Sequence, residues 1–359
     1  MIHPDSKAGV MEALGAASAR GTRVLIVGGR QHMDRGNPAE VDAELWTTQL
    51  DGVVAYEPAE MIAVVEAGIR IGTLAELLSR NGQEWPVDAP PDATVGGVIA
   101  AGVSSARRLR VGHVRDTVVE LELVTGDGRL VRSGARTVKN VTGYDIHRLA
   151  TGSLGTLGVI VQAALKVRPL PQATRSAVVR GNGLALGKML LRDVPMAAGV
   201  VATTGAAEVR FEGWDEEVAE MARLGAEAAG GLTELPAGAT FPSSPPWLDG
   251  DAVIVIEAAV PASRIDRLVE GLDGWTALLG VGLAWFGIEA GADVDGAIAE
   301  IRGRAAALDG IAPVIRGPGG LGPSPVAGVE IHRRLKAAFD PAGVLAPGRF
   351  WHEAVPASN

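Results

Sequence analysis

The 359-residue sequence contains no cysteine. Disulfides are excluded, which fits a reducing compartment. Cysteine-held zinc and iron–sulfur clusters are excluded within this chain as well. No run of about twenty apolar residues occurs, so no transmembrane helix is expected. Residues 1–7 carry charge and a proline rather than the apolar core of a signal peptide. The expected location is the cytoplasm. No basic stretch offsets the net charge of −9, and an acidic surface repels phosphate backbones, so nucleic acid is not an expected partner. Histidine is missing throughout residues 148–331; the six present are His3, His32, His113, His147, His332 and His352.

What is present supports a large folded protein. Hydrophobic residues make up 47% and charged residues 21%, enough for a core and too apolar for disorder. The length suits two domains. Residues 8–19 read as a helix ended by Gly21. Residues 23–27 (RVLIV) read as a buried parallel strand, followed by Gly28-Gly29 and a polar loop to Gly36. Strands are expected at 53–56 and 61–67. Thr73 and Glu76 form a capping box for a helix through Asn81, which Gly82 ends. Residues 86–116 are rich in proline, glycine and small side chains, with little periodicity, the mark of a functional loop system or of disorder. Residues 118–124 and 129–133 form a hairpin turned at Asp127-Gly128. Residues 158–167 form a further strand, and Pro169 and Pro171 mark a domain boundary.

Beyond 176, strands at 199–203, 208–212, 253–259 and 283–287 alternate with helices at 215–229, 261–271 and 295–308. This is an α+β pattern on a mainly antiparallel sheet. The proline-rich stretch 236–246 reads as an exposed loop. A last helix, 330–338, stops at Asp340-Pro341.

Three glycine-bearing segments are candidates for binding. The first, Gly28-Gly29-Arg30-Gln31-His32, follows a strand. Glycine there lets backbone amides approach an anion; the plainer reading is an ordinary strand-to-loop turn, and no G-x-G-x-x-G fingerprint is present. The second, Ala93-Thr94-Val95-Gly96-Gly97 through Gly102, Val103 and Ser104, is either bare backbone lying against a ligand or a tightly packed helix start. The third joins Lys139, Asn140, Tyr144 and Asp145 to Gly155, Thr156, Gly158, Val159 and Ile160. Lys139 faces a phosphate or flavin oxygen in the functional reading, and a solvated loop is the alternative.

The order of these segments resembles the flavoproteins whose FAD domain is named after vanillyl-alcohol oxidase and p-cresol methylhydroxylase. Residues 139–145 (KNVTGYD), Val114-Arg115-Asp116 and the ending 335–349 (LKAAFDPAGVLAPGR) are similar to glycolate oxidase subunits. The resemblance covers residues 20–171 and 330–350. It implies an α+β fold: an FAD-binding domain (1–171) of a small parallel and a larger antiparallel sheet, an α+β cap domain (172–325), and a C-terminal segment (326–359) returning to the first domain. It also implies FAD contact by all three segments. Two positions depart from the family: Val27 replaces a usual arginine, and Arg30 a usual third glycine, where its side chain either crowds the pyrophosphate or lends it charge. Relatives that link flavin covalently carry the histidine one position before His32, at Gln31, so noncovalent FAD is expected.

Oxidising a 2-hydroxy acid requires a base, a cation for the carboxylate and a hydride acceptor. Catalytic relatives carry histidines in the second domain. Their absence here implies the shorter partner subunit, resembling the E subunit of glycolate oxidase, working with a catalytic flavin subunit and an iron–sulfur subunit. Membrane contact would come only through those partners. A scaffold without flavin and a stand-alone alcohol dehydrogenase remain the alternatives. Arg110, His113 and Arg316 are read as surface positions before any catalytic role, and Arg333, Arg334 and Lys336 as a solvated basic face.

Overall fold

The computed structural model describes residues 1–103, 105–135, 144–236, 241–242, 245–246, 254–289, 291, 293–317 and 328–350. Its chain forms two compact units. One comprises Met1–Val103, Val114–Leu170 and Gly320–Asn359; the other comprises Ser104–His113 and Pro171–Gly319.

The first unit begins with helix Lys7–Arg20, capped by the Ser6 side chain and closed by Gly21 in the left-handed region. Val24–Val27 then pairs in parallel with Ala43–Trp46. Isolated parallel bridges, Ile2 to Leu45 and Val24 to Leu345, extend this small sheet on both sides. Val10, Leu14, Val24, Leu45, Val159 and Leu345 share one core beneath it. The larger sheet has five strands in the order Val53–Glu57, Ile62–Glu66, Val159–Lys166, Val118–Val124, Leu130–Gly134, all antiparallel. In Val118–Val124, Leu121 and Leu123 face one core. Glu122, on the alternate face, is buried and pairs with Lys7 and Arg132. The small parallel and larger antiparallel sheets are the α+β arrangement that the resemblance implies.

Several local expectations need correction. The helix expected to start at Thr73 runs Ile71–Ser79 and has no side-chain cap. Its first amides are satisfied by tertiary partners: Ile71 N donates to Ala93 O and Gly72 N to Pro91 O, both at 2.9 Å. Such partners are invisible to a local capping rule. Within 86–116, Val95–Ala101 is a helix, capped by Thr94 and closed by Gly102 at φ +62°; it is not bare extended chain. Only Gly128 of the Asp127-Gly128 turn has positive φ. Strand Ala43–Trp46 carries no alternation that would announce it.

In the second unit an eight-stranded sheet runs Thr233–Glu234, Ala173–Arg180, Ala206–Gly213, Gly199–Ala202, Trp275–Leu278, Leu283–Ile288, Ile254–Ala259, Val314–Arg316. Every described pairing is antiparallel. Helices Gly183–Asp193, Asp215–Ala229 and Val294–Ala307 contribute Leu190, Val218 and Ile301 to the core on one face. Val201, Leu278 and Trp285 enter a second core with Ala106 and Phe241. With both faces covered, the strands read as apolar runs rather than alternations. Phe241 and Pro245 are buried, so the proline-rich stretch is not uniformly exposed. The segment from 104 is held in this unit by the buried Arg107–Glu212 pair (3.0 Å), which Arg210 shares (2.7 Å), and by Arg110 donating to Met196 O.

The C-terminal helix, Val329–Phe339, is followed by a polar clasp in the first unit. Asp340 accepts hydrogen bonds from Val344 N (3.0 Å) and Leu345 N (2.8 Å). Lys336 Nζ donates to Asp340 Oδ2 (2.6 Å), Thr156 O (2.7 Å) and Leu345 O (2.8 Å). Lys336 therefore does not belong to a solvated face; burial pushes its pKa down. Arg333 and Arg334 do pair with Glu330 near solvent. Asp340→Ala leaves two amides without their acceptor and the half-buried Lys336 ammonium without its counter-ion. It is expected to cost roughly 3–5 kcal/mol in urea unfolding, with Asp340→Asn costing less; an unchanged midpoint would mean that the clasp contributes nothing.

Candidate functional site

A groove in the first unit gathers stretches far apart in sequence: Gly28 to Met33, Ala93 to Ala101, Leu154 to Ile160, with Ile26, Thr47 and Arg349. The groove is partly open to solvent rather than enclosed. Ile26, Ala93, Ala100, Ala101, Leu154 and Ile160 supply apolar walls. No aspartate or glutamate is among the lining residues described.

The floor is backbone because nothing larger fits. A Cβ on Gly28 would lie 2.2 Å from Thr94 Oγ1, and one on Gly29 would lie 2.1 Å from Asp92 O. The turn after the first strand is thus pressed against the turn before helix Val95–Ala101. Thr94 Oγ1 accepts from Gly97 N at 3.2 Å, and Gly96 N donates to Ala67 O at 2.7 Å, which fixes the helix start.

Arg30 replaces glycine by adopting φ +59°. Its guanidinium pairs with Glu44 and lies 4.8 Å over the Trp46 ring. Its charge is therefore compensated on the neighbouring strand. Gln31 Nε2 donates to Gly29 O at 3.2 Å. His32 is different. Its Nε2 is buried and has no hydrogen-bond partner among the described residues. Burial, followed by the nearby Arg35 charge, pushes its pKa down to about 4, so the ring is neutral at neutral pH. A groove with bare backbone, apolar walls and an unpartnered buried imidazole nitrogen fits a ligand with flat apolar ends and an anionic middle.

Of the candidate residues, Gly28, Gly29, Arg30, Gln31, His32, Ala93, Thr94, Gly96, Gly97, Gly155, Gly158 and Ile160 line this groove. Gly102 ends the adjacent helix. Val103, Thr156 and Val159 lie beside the groove in sequence without lining it. Tyr144 is 89% exposed, and Asp145 precedes helix Ile146–Ala150; neither joins the groove. Ser104, Lys139 and Asn140 lie outside the described residues. Sequence reasoning did not single out Ile26, Met33, Thr47, Ala100, Ala101, Leu154 or Arg349. Arg349 stands 316 positions from Met33, to whose carbonyl it donates at 2.9 Å, so no local pattern could connect them. The one signal for it is the P-G-R ending.

This fold and groove, with residues 1–134 matching the family described as FAD binding domain, define an FAD-binding flavoprotein. Glycolate oxidase subunit GlcE of Escherichia coli (strain K12) is 31% identical over 84% of this chain and 85% of its own. Glycolate oxidase subunit GlcD of Bacillus subtilis (strain 168) is 24% identical over 88% of this chain and 80% of its own. The mitochondrial D-lactate dehydrogenase (cytochrome) of Arabidopsis thaliana is 38% identical, over 35% of this chain and 22% of its own. A solved alkyldihydroxyacetonephosphate synthase covers 96% of this chain and 75% of its own, with a TM-score of 0.68 at 16% identity, a likeness of fold. The chain belongs to the glycolate oxidase subunit family of FAD-dependent oxidoreductases, and its cofactor is FAD.

His32 gives the site a pH signature. Its folded pKa lies below the unfolded value, so the stability it contributes is present above about 6.5 and is lost as pH falls toward about 4. His32→Gln is expected to flatten that acid-side loss in the flavin-free protein by roughly 1–3 kcal/mol, read from urea midpoints at both ends of the window. Parallel wild-type and variant profiles would mean that the ring titrates normally.

Proposed function

We propose that this chain is the FAD-binding E-type subunit of a glycolate oxidase-type complex that oxidises a small 2-hydroxy acid. The observation that carries this reading is its relation to glycolate oxidase subunit GlcE along most of both chains. FAD is bound noncovalently. Gly28, Gly29, Gln31 and His32 would hold it on one side of the groove, Thr94, Gly96 and Gly97 on another, and Gly155, Gly158 and Ile160 on a third. The family resemblance adds Ser104, Lys139 and Asn140 to the residues proposed to bind the cofactor.

Bound FAD supplies the two-electron acceptor that 2-hydroxy acid oxidation requires. This chain's own part is to hold the cofactor, orient it and keep water from it with Ile26, Leu154 and Ile160. The described groove lining offers no carboxylate base, and burial lowers the His32 pKa to about 4, which makes its ring a weak base. Residues 148–331 have no histidine, which leaves His113 as the second unit's one imidazole. In this reading the base and the substrate-binding cation come from a catalytic flavin subunit. Without cysteine, the chain relies on an iron–sulfur subunit to receive electrons. Among the described residues no helix is long and apolar enough to cross a membrane; the subunit works in the cytoplasm and meets the membrane only through its partners.

The purified chain is expected to show visible flavin absorption that acid precipitation releases to the supernatant. Glycolate should bleach those bands only after the partner subunits are added. Bands that stay with the pellet would make the link covalent. Bleaching by glycolate in the chain alone would make it a self-sufficient dehydrogenase, and no flavin uptake at all would make it a scaffold.

A further inference from the structure

We propose that Arg349, delivered by the C-terminal segment, is an FAD-binding residue whose guanidinium pairs with the cofactor's diphosphate. This rests on the FAD reading of the groove. Arg349 lines the groove and is only 7% exposed. Its backbone and stem have partners. Asn37 N donates to Arg349 O at 2.8 Å, and Asn37 Nδ2 donates to Gly348 O at 2.9 Å. Arg349 Nη2 donates to Met33 O at 2.9 Å.

These contacts hold the side chain in place and leave its charge without a counter-ion. A guanidinium has five donors in a fixed fork, and a single carbonyl occupies one of them. Among the described residues no carboxylate pairs with it; Asp34 is near enough only to favour the charged form. Burial pushes its pKa down, yet an arginine remains a cation at neutral pH. Two other buried or half-buried cations of this chain have carboxylates: Arg107 meets Glu212 at 3.0 Å, and Lys336 meets Asp340 at 2.6 Å. A buried charge without a counter-ion is costly, and an anionic ligand removes that cost.

The chemistry of the ligand points to the same match. The flavin and adenine rings of FAD are neutral, and its formal charge sits on the diphosphate. A buried fork of donors is suited to phosphate oxygens. The same groove holds the unpartnered Nε2 of His32. The parallel bridge of Leu345 to Val24 and the Lys336–Asp340 clasp set where Arg349 arrives.

The test compares wild type, Arg349→Gln and Arg349→Lys as full chains, titrated with FAD and separately with riboflavin, which has no phosphate, by flavin fluorescence. Arg349→Gln should weaken FAD roughly 10- to 100-fold, with Arg349→Lys between it and wild type. Riboflavin affinity should stay within about twofold, and the salt dependence of FAD binding should flatten. FAD affinity unchanged in Arg349→Gln would overturn the proposal, and so would an equal loss for FAD and riboflavin, which marks a structural role. A wild-type chain that takes up no FAD would overturn the FAD reading itself, and this inference with it.

Discussion

The structure of the first unit turns on one close approach of backbone to backbone. Gly28 and Gly29 lie so near Thr94 and Asp92 that a single added carbon on either glycine would collide. The 91–94 turn is held from its other side as well. Ile71 N and Gly72 N donate to Ala93 O and Pro91 O, and Arg70 donates to Asp92 O and Oδ1 at 3.0 and 3.1 Å. Two chain turns from different elements are thus fixed, glycine backbone against the Thr94 hydroxyl and the Asp92 carbonyl. The space above them becomes a groove with a backbone floor, where a ligand can approach amides directly.

Charge is treated in two ways at this groove. Arg30 replaces a glycine usual in relatives, but Glu44 and the Trp46 ring hold its guanidinium, so it neither crowds the floor nor adds free charge to it. Arg349 and His32 are buried with less compensation. Histidine meets this by giving up its proton. Arginine cannot, because its pKa lies too far above neutrality even after burial. This difference makes Arg349, rather than Arg30, the groove's demand for an anion.

The second unit has a different logic. Its sheet is covered on both faces, by helices on one and by the Trp285 cluster on the other. Arg107 and Glu212 are nearly inaccessible and pair across a separation of 105 residues. They anchor a short segment that lies within the first unit's stretch of sequence. The low periodicity of residues 86–116 has this as its cause: one helix packs in the first unit, and the following residues pack in the second.

The sequence alone settled which elements have strong local signals. The helix at 215–229 stands where its three acidic first-turn residues and its periodicity put it. The 118–133 hairpin follows from Gly128, and the first strand from its apolar run. The glycine segments and their order identified the cofactor and most of the groove's lining. Other features were decided by tertiary structure. Helix Ile71–Ser79 starts where carbonyls from a distant turn cap it. Strands Ala43–Trp46 and Ala173–Arg180 exist because neighbours pair with them, their own sequences having no period of two to mark them. Tyr144, chemically suited to a flavin, is exposed, while Arg349, unremarked in its own neighbourhood, reaches the groove. Hydrogen-bonding periodicity and turn chemistry act over a few residues and can be read in order along a chain. Burial, close approach and charge compensation join residues hundreds of positions apart, and only the folded chain brings those together.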